Sequence, residues 1–313
     1  MPVAVHSMVS RAMLVMLGLC LGSAAGLTCQ DLTDQYNTDQ CSGNGATELS
    51  SIPGCPYNFA LPACANAEPQ SPRDLSTGAQ GSKIPKAATL SDEQAEFLPL
   101  ANVHFHLGAE HKSDDYNHGE DAATYDAQHS SRRLAANPRP GWMCSGPGEL
   151  TAEQTASYNF QHCEGVEVGK SYEVHYVHSS AGTGTMGDGL GGAANGRGLL
   201  NPMIVVQGQV FEIRNDGPDI DDLLHGWTVV DHSNSVMYPG STTGPSHNNE
   251  YCSPYAITWH VDLTCHSVSP ASFDRLCQQM RGYNMVADVA PHGSRKLVDS
   301  RWVCPSSYVL PLA

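Results

Sequence analysis

The chain has 313 residues and a formal net charge of −16, from 32 acidic and 16 basic side chains, which disfavours nucleic acid and anionic membranes as partners. After the leader, no apolar run approaches the ~20 residues needed to cross a bilayer, so no transmembrane segment is expected. None of the 11 cysteines stands in a C-x-x-C pair, which excludes a zinc ribbon or a thioredoxin-type site.

Residues 1–26 read as a secretory signal peptide. Arg11 is the one early charge, Ala12 to Leu21 form an apolar core, and Gly22 to Gly26 supply small residues for cleavage. This implies the secretory pathway, ending in an extracellular, periplasmic or cell-surface location or in a plastid reached by that route. Loss of Cys20 with the leader leaves ten cysteines, an even number that favours disulfides in an exported chain. Their connectivity is open.

Residues 27–88 form an N-terminal extension rich in Cys, Pro and Gly, and 89–313 are expected to form the main folded domain. Ser91-Asp-Glu-Gln94 has the form of a capping box opening a short helix through Phe97. A strand follows at about 100–107, then a polar segment over 108–150 that reads as a long surface loop holding His111, His118 and His129. Further strands are expected at 171–178, 203–213, 225–231 and 257–262. The glycine-rich stretch Gly182 to Gly198 contains a literal GxGxxG but no P-loop lysine, and it reads as a loop. Ser269-Pro270 starts a helix whose Phe273, Leu276, Cys277 and Met280 recur at i, i+3, i+4 and i+7. The expected fold is mostly β: a single domain on a central, largely antiparallel sheet with short peripheral helices.

Two of these strands carry chemistry. Side chains two apart on a strand share a face at ~7 Å spacing, so His104 and His106 can converge on one ion. On the second strand Glu173 and His175 share a face, and a carboxylate there can orient the ring of a third ligand. His111 and His178 are the alternatives for that third position. His178 lies three residues from His175 and faces the other way, which suits a structural role. Three imidazoles with one open position describe a catalytic zinc centre.

The strings His104-Phe-His106, Glu110-His111, Glu173-Val-His175-Tyr-Val-His178, Tyr238-Pro-Gly-Ser-Thr-Thr243 and Ile257-Thr-Trp259 occur in the order found in α-class carbonic anhydrases. N-V-H-F-H-L-G-A-E-H, N-E-Y-C-S-P-Y-A-I-T-W and C-H-S-V-S-P-A-S-F-D-R-L-C resemble more closely the delta-class enzymes of marine microalgae. The resemblance runs from about 98 to 280. It implies the α carbonic anhydrase fold and zinc-dependent, reversible hydration of carbon dioxide to bicarbonate, in support of inorganic carbon acquisition. Cobalt or cadmium are possible replacements for zinc.

By the same resemblance His104, His106 and His175 hold the metal, with Asn102 bracing the first and Glu173 the third. Glu110 is a gatekeeper that accepts a hydrogen bond from the threonine hydroxyl that orients the attacking hydroxide. An ungapped match makes that residue Thr243, the preferred choice, and a one-residue deletion makes it Thr242. Val177 and Trp259 match the apolar substrate pocket, and His111 and Tyr238 buttress the site. No histidine lies between His6 and His104, where the α class keeps its proton shuttle, which leaves His118, His247 or buffer.

Two rival readings remain. His104-x-His106-x-x-x-Glu110 is the centre of a cupin metal motif, but Leu98 and Asn117 stand where that motif wants glycine. An acidic, histidine-rich exported protein can also bind metal without catalysis.

Overall fold

The structure is a computed structural model that describes residues 73–77, 91–96, 98–119, 138–179, 204–242 and 255–295. The leader, the glycine-rich stretch, Phe97, His129, Thr243, His247 and most of the N-terminal extension lie outside the described residues.

Strands β2 (Leu100–Leu107), β4 (Ser171–Ser179), β5 (Ile204–Ile213), β6 (Ser235–Thr242) and β7 (Tyr255–Val268) form one mixed sheet in the order β2-β4-β5-β7-β6. The β2–β4, β4–β5 and β6–β7 pairs are antiparallel; only β5–β7 is parallel. The fold is therefore mostly β, as expected, with one parallel seam. Every residue of β5 is buried, including Gln207, Gln209 and Glu212, so its sequence shows no regular alternation of apolar and polar residues.

One face of the sheet packs its Val103, Phe105, Tyr172, Val174, Tyr176 and Phe211 against α3 (Pro270–Gly282). That helix begins as expected: Pro270 opens it and the Ser269 side chain accepts a hydrogen bond from the Ser272 N–H. Phe273, Leu276, Cys277 and Met280 form its buried stripe. The other face carries Val177, Val206, Tyr238, Trp259 and Val261 in a second apolar cluster. Leu75, just after β1 (Arg73–Asp74), is fully buried in that cluster, so a piece of the N-terminal extension is built into the fold. β1 pairs in parallel with β3 (His111–Lys112).

Three expectations need correction. Residues 225–231 are not a strand: the chain makes a 3-10 turn over Leu223–His225 and then α2 (Gly226–Val229). A strand would put Trp227 and Val229 on one face, yet Trp227 is 4% exposed and Val229 53%. Burial instead follows Leu223, Leu224 and Trp227, a helical spacing. The helix opened by Ser91 is one turn, α1 (Asp92–Ala95), closed by a bond from the Ala95 N–H to the Ser91 carbonyl. Finally, 108–119 is no surface loop. Glu110, His111, Ser113 and Tyr116 are buried, and most of their polar atoms find protein partners: the Ser113 hydroxyl donates to the Leu263 carbonyl at 2.9 Å and the Tyr116 hydroxyl to the Asp262 carbonyl at 2.7 Å.

Disulfides join Cys144 to Cys265 on β7 and Cys163 to Cys277 on α3. Among the described residues no helix is long and apolar enough to cross a membrane.

Candidate metal centre

Strand parity divides β2 cleanly. Val103 and Phe105 enter the core against α3, while Asn102, His104 and His106 take the opposite face. Antiparallel register sets His104 opposite His175 and His106 opposite Glu173. Ring centroids then lie 5.1 Å apart for His104 and His106, 5.2 Å for His104 and His175, and 4.7 Å for His106 and His175. All three rings are at most 2% exposed.

Hydrogen bonds fix which nitrogen of each β2 ring is free. His104 Nδ1–H donates to Asn102 Oδ1 at 2.5 Å, and Asn102 Nδ2 donates to Asp288 Oδ2 at 3.0 Å. His106 Nδ1–H donates to the Gly293 carbonyl at 3.2 Å. In both rings Nε2 is buried with no hydrogen-bond partner among the described residues. Burial holds His104 well below the ordinary histidine range, reinforced by His292, and it does the same to His106, reinforced by His175. Both rings are neutral at neutral pH, the form that offers a lone pair to a cation.

Two carboxylates stand behind the rings. Glu173 Oε2 accepts the Glu110 N–H at 2.7 Å, and its Oε1 accepts His111 Nδ1–H at 3.1 Å. His175 Nε2 lies 3.2 Å from Glu173 Oε2. Burial alone would raise Glu173; His175 and His111 overcome it and pull the group well below the usual carboxylate range. Glu110 behaves oppositely, since burial pushes it up. Its Oε1 accepts the Arg295 N–H at 2.6 Å, while its Oε2 is buried without a partner among the described residues. The His111 Nδ1–H is committed to Glu173, so Nε2 accepts from the Tyr238 hydroxyl at 2.6 Å.

An apolar layer lies one step along the same face. Register aligns Val177, Val206, Trp259 and Tyr238 across four successive strands. Beside it run His104, His175, Gly208 and Val261. The Trp259 ring sits 5.0 Å from His111 and 5.4 Å from His175.

The other expected residues are less closely tied to this group. Thr242 ends β6 opposite Tyr255, and Thr243 follows outside the described residues. His118 is 38% exposed and approaches Glu149 at 3.6 Å. His178 faces away from the site, as expected, with Nδ1 on the Leu98 carbonyl and Nε2 on Gln207.

Sequence reasoning missed three parts of the site. The first is Gly208, opposite His175: a Cβ there would lie 3.1 Å from Glu173 Oε1 and 3.4 Å from the His175 ring. A glycine inside an apolar strand was the available signal for such an approach. The second is the segment around Gly293, whose carbonyl and the Arg295 N–H serve His106 and Glu110. The third is His292, whose ring stacks on His104 at 5.0 Å and meets His106 edge-on at 5.5 Å. Potential metal donors fall within 4.8 Å of one another in two overlapping sets: His104, His106 and His292, and His106, Glu110 and His175.

A family model described as delta carbonic anhydrase matches residues 95–272, more than half of the chain. No curated protein matches it. The match spans Asn102 through Trp259 and ends before Asp288 and His292.

Proposed function

The chain belongs to the delta carbonic anhydrase family, and on that premise we propose that it hydrates carbon dioxide reversibly at one zinc ion held by His104, His106 and His175. One observation carries the zinc assignment: His104 and His106 are neutral, buried imidazoles on one strand whose Nδ1 atoms are occupied and whose Nε2 atoms have no partner among the described residues, and the His175 ring faces them from the next strand. That is the donor chemistry and second-layer support of a zinc-binding histidine. When bound, zinc supplies a Lewis acid that lowers the pKa of a water to about 7, a figure that belongs to carbonic anhydrases as a class.

The chain's own residues do the rest. Asn102 and the Gly293 carbonyl hold the tautomers of His104 and His106. The Glu173 carboxylate orients His175 and is itself held by the Glu110 N–H and His111. Glu110 Oε2 is a buried acceptor awaiting a donor, which suits the hydroxyl of Thr243, or of Thr242 under the gapped match. A hydroxyl that donates to Glu110 must accept from the attacking oxygen species, which fixes the direction of its remaining lone pair. Val177 and Trp259 offer apolar contact to carbon dioxide. After bicarbonate release, the proton to be exported would pass to His118, His247 or buffer. Cobalt and cadmium suit the same donors.

Export fits the same reading. Disulfides are at home in an oxidising compartment, which agrees with residues 1–26 acting as a signal peptide and with delivery to the cell surface, periplasm or a plastid.

A stopped-flow pH-indicator assay on the purified mature chain, run beside a zinc determination, tests this. One zinc per chain and hydration well above background are expected. A zinc-loaded chain with only background hydration, or full activity after zinc removal, ends the proposal; several weakly bound ions without activity indicate metal storage instead.

A further inference from the structure

We propose that His292 is a fourth imidazole donor to the bound metal, exchanging with water at the position that the other three histidines leave open. This rests on the reading that the cluster holds a metal, and it adds a residue from beyond the stretch matched by the family model.

Four observations support it. His292 shares with His104 and His106 a set of donor atoms that all lie within 4.8 Å of one another. Its ring has a carboxylate beside it, as metal-binding histidines usually do: Nε2 lies 3.1 Å from Asp288 Oδ1, which turns Nδ1 to the other side of the ring. The same Asp288 carboxylate, through Oδ2, accepts from the Asn102 amide that holds His104. One carboxylate therefore sets the orientation of both rings. Finally, the backbone anchors the residue to the site: the His292 N–H donates to the Phe105 carbonyl at 2.8 Å, and the Leu107 N–H donates to the His292 carbonyl at 2.8 Å.

Exposure assigns His292 the exchangeable position. It is 31% exposed, whereas His104, His106 and His175 are at most 2% exposed. A ring on the solvent side can swing out and let water in; the buried three cannot. Only donor bonds exchange in this step, so no electron or proton has to be supplied.

The test is metal binding by the metal-depleted full chain, as zinc affinity by chelator competition and as the visible spectrum with Co2+. Wild type is compared with His292→Ala, His292→Gln and His175→Ala. His292→Gln keeps side-chain length and a donor for Asp288, which guards against a folding defect in the alanine variant. Both position-292 variants should bind zinc roughly 10-fold or more weakly and shift the Co2+ bands, as oxygen replaces nitrogen. A Co2+ spectrum identical to wild type in either folded variant overturns the proposal, whatever the zinc affinity. His175→Ala separates the two readings. If it retains zinc while the position-292 variants alter the Co2+ bands, the assignment of His175 falls and that of His292 stands. If it loses zinc while they leave the bands unchanged, the reverse holds.

Discussion

His104 and His175 stand directly opposite one another on antiparallel strands, their rings nearly perpendicular and 5.2 Å apart. Register alone produces that meeting, and a slip of one residue would turn every site residue of β4 into the core. His175→Ala should therefore remove most bound zinc and hydration activity while the sheet persists. Zinc analysis checks this, and near-wild-type metal content excludes His175 as a ligand.

Gly208→Ala tests the space behind that pair. The added Cβ would press on the Glu173 carboxylate and the His175 ring, both buried and already held. Overpacking of this kind costs typically 1–3 kcal/mol. Zinc affinity should fall together with the melting temperature. An unchanged affinity would show that the pair yields without consequence.

Thr243→Ala should retain zinc and lose rate, because the hydroxyl is assigned to orientation and not to metal binding. If Thr242→Ala alone behaves this way, the gapped match is right. Glu110→Gln, which removes the charge of the acceptor but keeps its shape, should lower the rate in parallel with whichever threonine acts, at unchanged zinc content.

The metal-depleted protein should become less stable in acid. His104 and His106 titrate well below the ~6.5 of an unfolded histidine, so the unfolded chain binds protons there first. Stability is full above about pH 6.5 and declines as pH falls below it toward the folded values. Melting midpoints of the zinc-free chain between about pH 8 and 5 will show the slope, and His104→Gln should flatten it. A midpoint independent of pH contradicts the assignment.

Reduction of the disulfides should destabilise the fold strongly. Cys163–Cys277 closes a separation of 114 residues and Cys144–Cys265 one of 121, loops for which the chain-entropy account gives about 4–5 kcal/mol each. Denaturant titrations with and without reductant measure it, and coincident midpoints would refute the estimate.

The histidine strands were legible because their information is local: a two-residue period puts His104 with His106, and Glu173 with His175, on common faces. β6 was not recognised as a strand, because Pro239-Gly240 reads as a turn. An edge strand tolerates the proline, and the glycine is needed because the Trp259 indole lies where a Cβ would project. Trp227 was misassigned because a short apolar run between Gly and Asp suits either period. Glu110 and His111 sit in a segment that passed for a surface loop although both are buried. Its polarity is that of a buried hydrogen-bond network, which composition does not distinguish from solvation. His292 and Gly293 carry no periodic pattern, and only tertiary pairing brings them in.

That pairing has a consequence for assembly. The Gly293 carbonyl that steadies His106 lies 187 residues further along the chain. Translation must deliver those 187 further residues before the first histidine strand acquires its outer neighbour. Contacts of such long range form late and slowly. The catalytic pocket is therefore among the last regions to mature, and ribosome-bound or prematurely terminated chains carry their histidine strand without a finished cation cage.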